Sequence, residues 1–396
     1  MISHALFDCF GHGDSSSRCC SESAFHFLDR SDRPGATAIR KTIEQWFLRY
    51  PSVHQARFRA DFRSANDLQH RAAFFELLLH ELLLCLGYSL DVHPVVNLDR
   101  GRRPDFLVTS AVDPPFVLEA VLASEESKRE LAASSRIEAV IEQLNRRLKV
   151  RDFFLGVRIE GVPRTPVPSD RVLRFLKFQI DRLNASGQPV VFVSADQGLY
   201  PRWPYEHDGC VLEFFPIPRT VSSKTGDSGR PIGLITSDAR WRNASAVIKD
   251  AVRKKSNRYG DLGQPYVVAV NVWGELGLID RSDIVSALFG NEQWIVSKSS
   301  GEWKVDRCAR ALNGVWTSGA GPLCTRVSAV LVGSLVSPWS IHNSEMYLCH
   351  NPWAKKPYCG ALTRLPQAVP RDGHVVWTEG DSLSRVLGLP EGWPGA

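Results

Sequence analysis

The segment QHRAAFFELLLHELLLCL at 69–86 constrains the fold more than any other stretch of the chain. It is apolar nearly all round at helical spacing, so the helix it predicts must be buried on more than one side. Gly87 ends it. Glu76 and Glu81 interrupt the apolar surface, with His80 one turn on from Glu76. A carboxylate in such a helix is costly unless it is paired or serves as a ligand.

Around this helix the sequence alternates between helical and extended periods. Residues 38–66 read as a helix packed through Ile43, Trp46, Phe47 and Tyr50, and 88–93 as a short strand. Two extended runs, 105–110 and 115–121, flank the turn-forming AVDPP. A helix at 134–149 carries Ile137, Val140 or Ile141, Leu144 and Leu148 inward. Strands at 152–160, 189–195, 265–273 and 327–337 and helices at 170–184 and 244–258 continue the rhythm. Residues 216–231 are rich in breakers and read as a loop. The fold class expected is α/β, a mixed central sheet flanked by helices. Three regions are expected: an arm, poorly anchored or loosely packed to about residue 40, and helical lead-in over 1–66, a core over 67–290 with an insertion at about 122–243, and a mixed Trp- and Gly-rich extension over 291–396.

Composition bounds the function. At 396 residues, with 43% apolar and 23% charged residues, the chain exceeds one compact domain and is not a disordered one. The formal net charge of +5 neither demands a nucleic-acid partner nor suggests a basic one. No apolar run is long enough to cross a bilayer. The start lacks a basic stretch followed by an apolar block, and the nine cysteines include no CxxC pair. A reducing cytoplasm is the expected setting. P-loop, G-x-S-x-G and H-E-x-x-H motifs are absent.

The chemistry concentrates in RPDFLVTSAVDPPFVLEAV at 103–121. If its halves pair about Val112, facing residues have numbers summing to 224. Leu107 then meets Val117, and Asp105 meets Glu119 on one face of the sheet. Phe106, Val108, Phe116 and Leu118 take the other face. A slip of one residue would separate the two carboxylates. Opposed like charges repel, and a hard divalent cation such as Mg²⁺ removes the penalty. Arg100, Arg102 and Arg103 precede Asp105, where a phosphate backbone would approach. In the helix at 244–258, Ile248, Val252, Lys255 and Tyr259 share one stripe, which makes Lys255 a cation on the inward face. Arg253, Lys254 and Arg258 lie off that stripe and could touch phosphates.

At these residues the sequence resembles the PD-(D/E)xK, or restriction-endonuclease-like, nuclease superfamily. Glu76 lies in the first helix, Pro104-Asp105 starts the second strand and Glu119-Ala120 sits in the third. The chain also resembles a group of uncharacterised bacterial proteins sharing FFELLLHELLLCLGY, RRPDFLV, LEAVLA and KSNRYG-x-x-x-x-PYVVAVN. The resemblance implies a restriction-endonuclease-like core and Mg²⁺- or Mn²⁺-dependent hydrolysis of nucleic acid, DNA before RNA, in restriction or anti-phage defence. It implies Asp105, Glu119 and the Ala120 carbonyl as metal ligands, with Glu76 assisting. A protein partner that supplies targeting and a homo-oligomer are further expectations.

The lysine of the pattern would fall at 121, where this chain has Val121. Lys255 is the candidate replacement and Lys128 a weaker one. Gln143 could orient water or substrate, although a solvated helix flank is the preferred reading, and Tyr259 is a further candidate site residue. The alternative function is a nuclease-like module that binds nucleic acid or a protein partner without hydrolysing it. Late tryptophans, and HNPW with Lys355-Lys356 at 350–356, could contact a ligand, although core or interface packing and an ordinary turn are the preferred readings of them.

Overall fold

The computed structural model describes residues 5–8, 14–19, 22–95, 103–124, 128–150, 153–161, 163–186, 201–218, 231–237, 244–273, 279–299, 302–371 and 374–395. In chain order its elements are α1 (Ala24–Arg30), α2 (Pro34–Arg49), α3 (Ser52–Phe62), α4 (Asp67–Cys85), β1 (Ser89–Val92), β2 (Phe106–Thr109), β3 (Phe116–Ser124), α5 (Lys128–Arg147), β4 (Phe153–Gly161) and α6 (Ser169–Ser186). There follow β5 (Trp203–His207), β6 (Cys210–Pro218), β7 (Ile232–Ser237), α7 (Ala244–Ser256), β8 (Tyr266–Trp273), α8 (Arg281–Phe289), β9 (Glu292–Ser299) and β10 (Glu302–Arg310). The last are β11 (Thr317–Ser318), β12 (Gly321–Pro322), β13 (Ala329–Ser334), β14 (Met346–His350), β15 (Gln367–Arg371), β16 (His374–Thr378) and α9 (Leu383–Val386). The chain divides into two compact units. One comprises Met1–Ser16, Ser23–Glu125 and Arg242–Ala396, the other Ser17–Glu22 and Glu126–Trp241.

The first unit is mixed α/β, built on an eight-stranded sheet in the order β1-β2-β3-β8-β13-β14-β15-β16. β3, β8 and β13 run parallel to one another, and β1-β2-β3 form antiparallel pairs at one end. Alternation along the strands separates two cores. Phe106, Val108, Phe116, Leu118, Val267, Ala269, Ala329 and Leu331 pack with residues of α1 to α4. Val117, Val268, Val270, Val330 and Val332 pack with Ile248 and Val252 of α7 and with Ile284 to Phe289 of α8. The sheet is thus covered by helices on both faces, which is why β8 is buried along nearly its whole length.

Local chemistry explains the elements. Asn66 caps α4, accepting from the N–H groups of Leu68 and Gln69. Gly87 takes φ +87°, and the Gly87 and Tyr88 N–H groups close the helix on Leu84 and Leu83. The helix expected over 38–66 is two helices. Pro51 drives Tyr50 into an extended conformation (ψ 140°), so α2 stops and α3 starts anew.

Two expectations are corrected. The lead-in is anchored rather than loose: Leu6 and Phe7 are buried, and the Glu44 carboxylate accepts both of their N–H groups. The residues beyond 290 are no separate extension, because β13 to β16 belong to the same sheet as β3. One buried clamp ties that part down. Asn271 of β8 is fully buried, donates to the Val336 carbonyl (2.8 Å) and accepts the Val336 N–H (3.1 Å). Asn271→Leu strands both Val336 groups, and thermal or urea melting is expected to show a loss of about 2–4 kcal/mol.

The second unit covers nearly the stretch expected as an insertion. Its four strands run in the order β5-β6-β4-β7. Ile137, Val140, Ile141, Leu144 and Leu148 from α5 and Val172, Leu173, Leu176 and Ile180 from α6 share a core with Phe153, Leu155 and Val157. The loop expected at 216–231 starts later than its breakers suggest, because β6 runs to Pro218. The strand expected at 189–195 lies outside the described residues. No described helix is long and apolar enough to cross a membrane.

Candidate active site

The hairpin has the register that places its carboxylates together. Leu107 faces Val117, and Phe106 faces Leu118. β3 runs on past the start of β2, so residues from Glu119 onward are paired on the β8 side, while on the other side Asp105 meets them with a side chain. Asp105 Oδ2 accepts the Ala120 N–H at 2.7 Å. The carbonyl of a strand residue points the same way as its N–H, so Ala120 offers its oxygen on this open side.

A cavity of about 290 Å³ lies here. Its lining includes Glu76, His93, Asp105, Glu119, Ala120, Val121, Lys255 and Arg258. Each element delivers its side chain for a local reason. α7 buries Ile248 and Val252, and the same stripe carries Lys255 inward, where its Nζ lies 2.6 Å from Glu119 Oε1. One turn on, the Tyr259 hydroxyl donates to Glu119 Oε2 at 2.5 Å and lies 3.0 Å from the Arg103 carbonyl. Arg258 Nη1 stands 2.9 Å from Glu119 Oε1. Glu119 is 1% exposed, so these three donors take the place of water around its carboxyl group.

Asp105 has a different environment. Burial, then the nearby Glu119 and Glu76 carboxylates, push its pKa up to about 7. Part of the site is therefore short of positive charge at neutral pH. Glu76 belongs to the same cavity through α4. Burial would raise its pKa, but hydrogen bonds from His93 and Tyr50 outweigh that and hold it below the ordinary carboxylate value. The Tyr50 hydroxyl donates to Glu76 Oε1 at 2.6 Å, and His93 Nε2 lies 3.3 Å from the same oxygen. The hydrogen bond with Glu76 raises the His93 pKa. His93 Nδ1 is 3.9 Å from Asp105 Oδ1.

The structure thus brings Glu76, Asp105, Glu119, Ala120, Lys255, Arg258 and Tyr259 to one place. Other candidates fall elsewhere. Arg253 donates to the Gly314 carbonyl (3.1 Å) and Lys254 is exposed, neither lining the cavity. Arg103 contributes its carbonyl to Tyr259, while Arg100 and Arg102 lie outside the described residues. Gln143 is exposed on α5 in the second unit, the helix that Lys128 begins. His80 is buried against Tyr50 and Phe106, and burial lowers its pKa to about 4. That is a packing role.

Sequence reasoning missed His93 and Tyr50. The signal for His93 lay in strand pairing. β1 pairs with β2 so that Val92 faces Phe106, which sets His93 beside Asp105, and its N–H reaches the Asp105 carbonyl at 2.9 Å. It also holds φ +51°, an uncommon conformation for a side-chain-bearing residue.

The donors fit a hard divalent cation: the Asp105 and Glu119 carboxyl groups and a backbone carbonyl, all oxygen, with the Asp105 pKa raised by burial and by its carboxylate neighbours. Among the described residues no three His, Cys, Asp or Glu side chains form a metal cage, so the third oxygen of such a set would be the Ala120 carbonyl. Comparison of the chain with family models, with curated proteins and with solved structures gave no match.

Proposed function

We propose that this chain is a nuclease hydrolysing phosphodiester bonds of nucleic acid, with DNA the first substrate to try, and that it needs Mg²⁺ or Mn²⁺. The observation that carries the reading is the Lys255 amine at 2.6 Å from Glu119, beside Asp105 in one cavity. An amine reaches the carboxylates from α7, 136 residues along the chain, where Val121 supplies none. The order of elements supports a restriction-endonuclease-like core: α4 with Glu76, then three strands, with Pro104-Asp105 opening the second and Glu119 on the third.

Asp105, Glu119 and the Ala120 carbonyl would hold the cation, which when bound supplies charge to a phosphate oxygen and acidifies water. The Lys255 ammonium faces the place where negative charge grows on the phosphoryl oxygens and stabilises it there. Arg258, 37% exposed at its side chain, would hold a neighbouring phosphate. Tyr259 fixes the Glu119 carboxylate, and Tyr50 and His93 fix Glu76. Phe58 and Phe75 line the cavity beside these groups.

A second reading has its own observation. Lys255, Arg258 and Tyr259 already satisfy Glu119, an arrangement that suits a module which binds nucleic acid without cutting it. Incubating the chain with plasmid separates the two. The nuclease reading expects nicking with Mg²⁺ or Mn²⁺, none with chelator, and loss of nicking in Glu119→Gln with folding retained. Plasmid bound equally and left intact by both proteins at every metal concentration establishes the binding module instead.

A further inference from the structure

The loop at 350–357 takes no part in the carboxylate site, yet its contacts lead there. Asn351 is buried. Its amide donates to the carbonyls of Cys324 (3.2 Å) and Val327 (2.8 Å), and its oxygen accepts the Trp353 N–H (3.0 Å). The Lys355 N–H reaches the Thr325 carbonyl (2.8 Å), and Ser328 Oγ donates to the Lys356 carbonyl (2.5 Å). The segments around 325 and 353 are therefore stitched into one rigid surface. Arg326 on that surface donates to the Tyr259 carbonyl at 3.4 Å. Tyr259 is the residue whose hydroxyl holds Glu119, so the two regions share a residue.

Its chemistry is distinctive. Trp353 is 41% exposed although a well-bonded turn fixes its backbone. Arg326, Lys355 and Lys356 are exposed, and neither 323–328 nor 351–357 contains a carboxylate. Exposed cations and an exposed aromatic ring on hydrogen-bonded segments complement a chain of phosphates carrying bases with open faces. Inside a duplex those faces are covered by neighbouring bases, and Trp353 would have nothing to stack on.

We propose that Trp353, Arg326, Lys355 and Lys356 bind an unpaired nucleic-acid strand, the ring stacking on a base and the cations on phosphates. This rests on the nuclease reading only in naming its substrate, a strand with unpaired bases; the binding itself needs no hydrolysis.

Fluorescence anisotropy with the full chain in chelator tests it, using a labelled single-stranded DNA, an RNA of the same sequence and the corresponding DNA duplex. At least one single strand is expected to bind on the order of tenfold more tightly than duplex. Trp353→Ala should weaken that binding by about tenfold and leave its salt dependence unchanged. Lys355→Gln with Lys356→Gln should flatten the log–log salt slope by about 1.4, or roughly 0.7 for each phosphate contact. Melting curves that match the wild type show that the variants fold.

Equal affinity for duplex and both single strands, or indifference to Trp353→Ala, overturns the proposal. So does an acidic polypeptide that binds as tightly as the strand, which assigns the surface to a protein partner. Strand binding with neither plasmid nor the labelled single strands cut in Mg²⁺ or Mn²⁺ leaves this surface standing and removes the nuclease. Nicking without any effect of Trp353→Ala on binding does the reverse.

Discussion

Asp105→Asn is expected to abolish nicking while making the metal-free protein more stable at pH 8. The two effects have one cause. Folded Asp105 keeps its proton to about pH 7, against an ordinary value of 3.8, because burial, Glu119 and Glu76 disfavour the anion. Between those values the folded chain binds more protons than the unfolded chain, so stability falls as pH rises through the window. At pH 8 the full linkage amounts to roughly 4 kcal/mol, and screening of the partly exposed carboxyl reduces it to about 1–3 kcal/mol. Asparagine removes the buried negative charge and keeps an oxygen for the Ala120 N–H. Its stabilising effect should be largest above pH 7 and fade toward pH 4.

Magnesium should distinguish the two proteins. It binds the folded wild type and raises its melting temperature, but adds little to Asp105→Asn. Nicking should fall on the order of a thousandfold. Thermal melting across pH, with and without Mg²⁺, checks the stability arm and single-turnover nicking the activity arm. A metal-free variant less stable than the wild type at pH 8 would remove the claim that this carboxyl is held in an unfavourable state.

Much of this site was legible because its parts obey local rules. The turn at AVDPP and the alternation on either side of it determined the hairpin register, and the register determined that Asp105 and Glu119 converge. The apolar stripe of α7 showed that Lys255 points inward. What it points at was not legible, because that depends on β8 lying parallel to β3 across a long intervening unit. His93 was invisible for a similar reason. Its place beside Asp105 comes from β1 pairing with β2, and 88–93 carries no sign of its partner. Tyr50 read as core packing, and it is buried, but its hydroxyl emerges at Glu76 only because Pro51 ends α2 there. The change of texture near 290 suggested a boundary. The physical requirement is that β8 and β13 be covered on both edges, and later strands meet it whatever their composition.

The amine itself can be moved, which is the sharpest way to ask what it does. Lys255→Met keeps most of the stem and removes the charge, leaving Glu119 to Arg258 and Tyr259. If the ammonium stabilises charge on the phosphoryl group, nicking should drop about 10²- to 10³-fold, with DNA binding little changed. Val121 lies two residues beyond Glu119, so both side chains leave β3 on the same face, and Val121 lines the cavity. Val121→Lys therefore introduces an ammonium close to the one lost. The double variant Val121→Lys, Lys255→Met is expected to recover at least about tenfold over Lys255→Met alone, well beyond what a change of fold stability produces in a single-turnover assay at saturating DNA and metal. A lysine that only neutralised Glu119 could be replaced from α7 by another cation, so Lys255→Arg would then restore nicking as well as the relocated lysine does. Recovery by relocation, with Lys255→Arg remaining poor because the bulky guanidinium cannot take the ammonium's place, identifies a point charge aimed at substrate. Nicking by Lys255→Met at the wild-type rate would strip Lys255 of any part in the chemistry and leave Glu119 and Asp105 to account for it unaided.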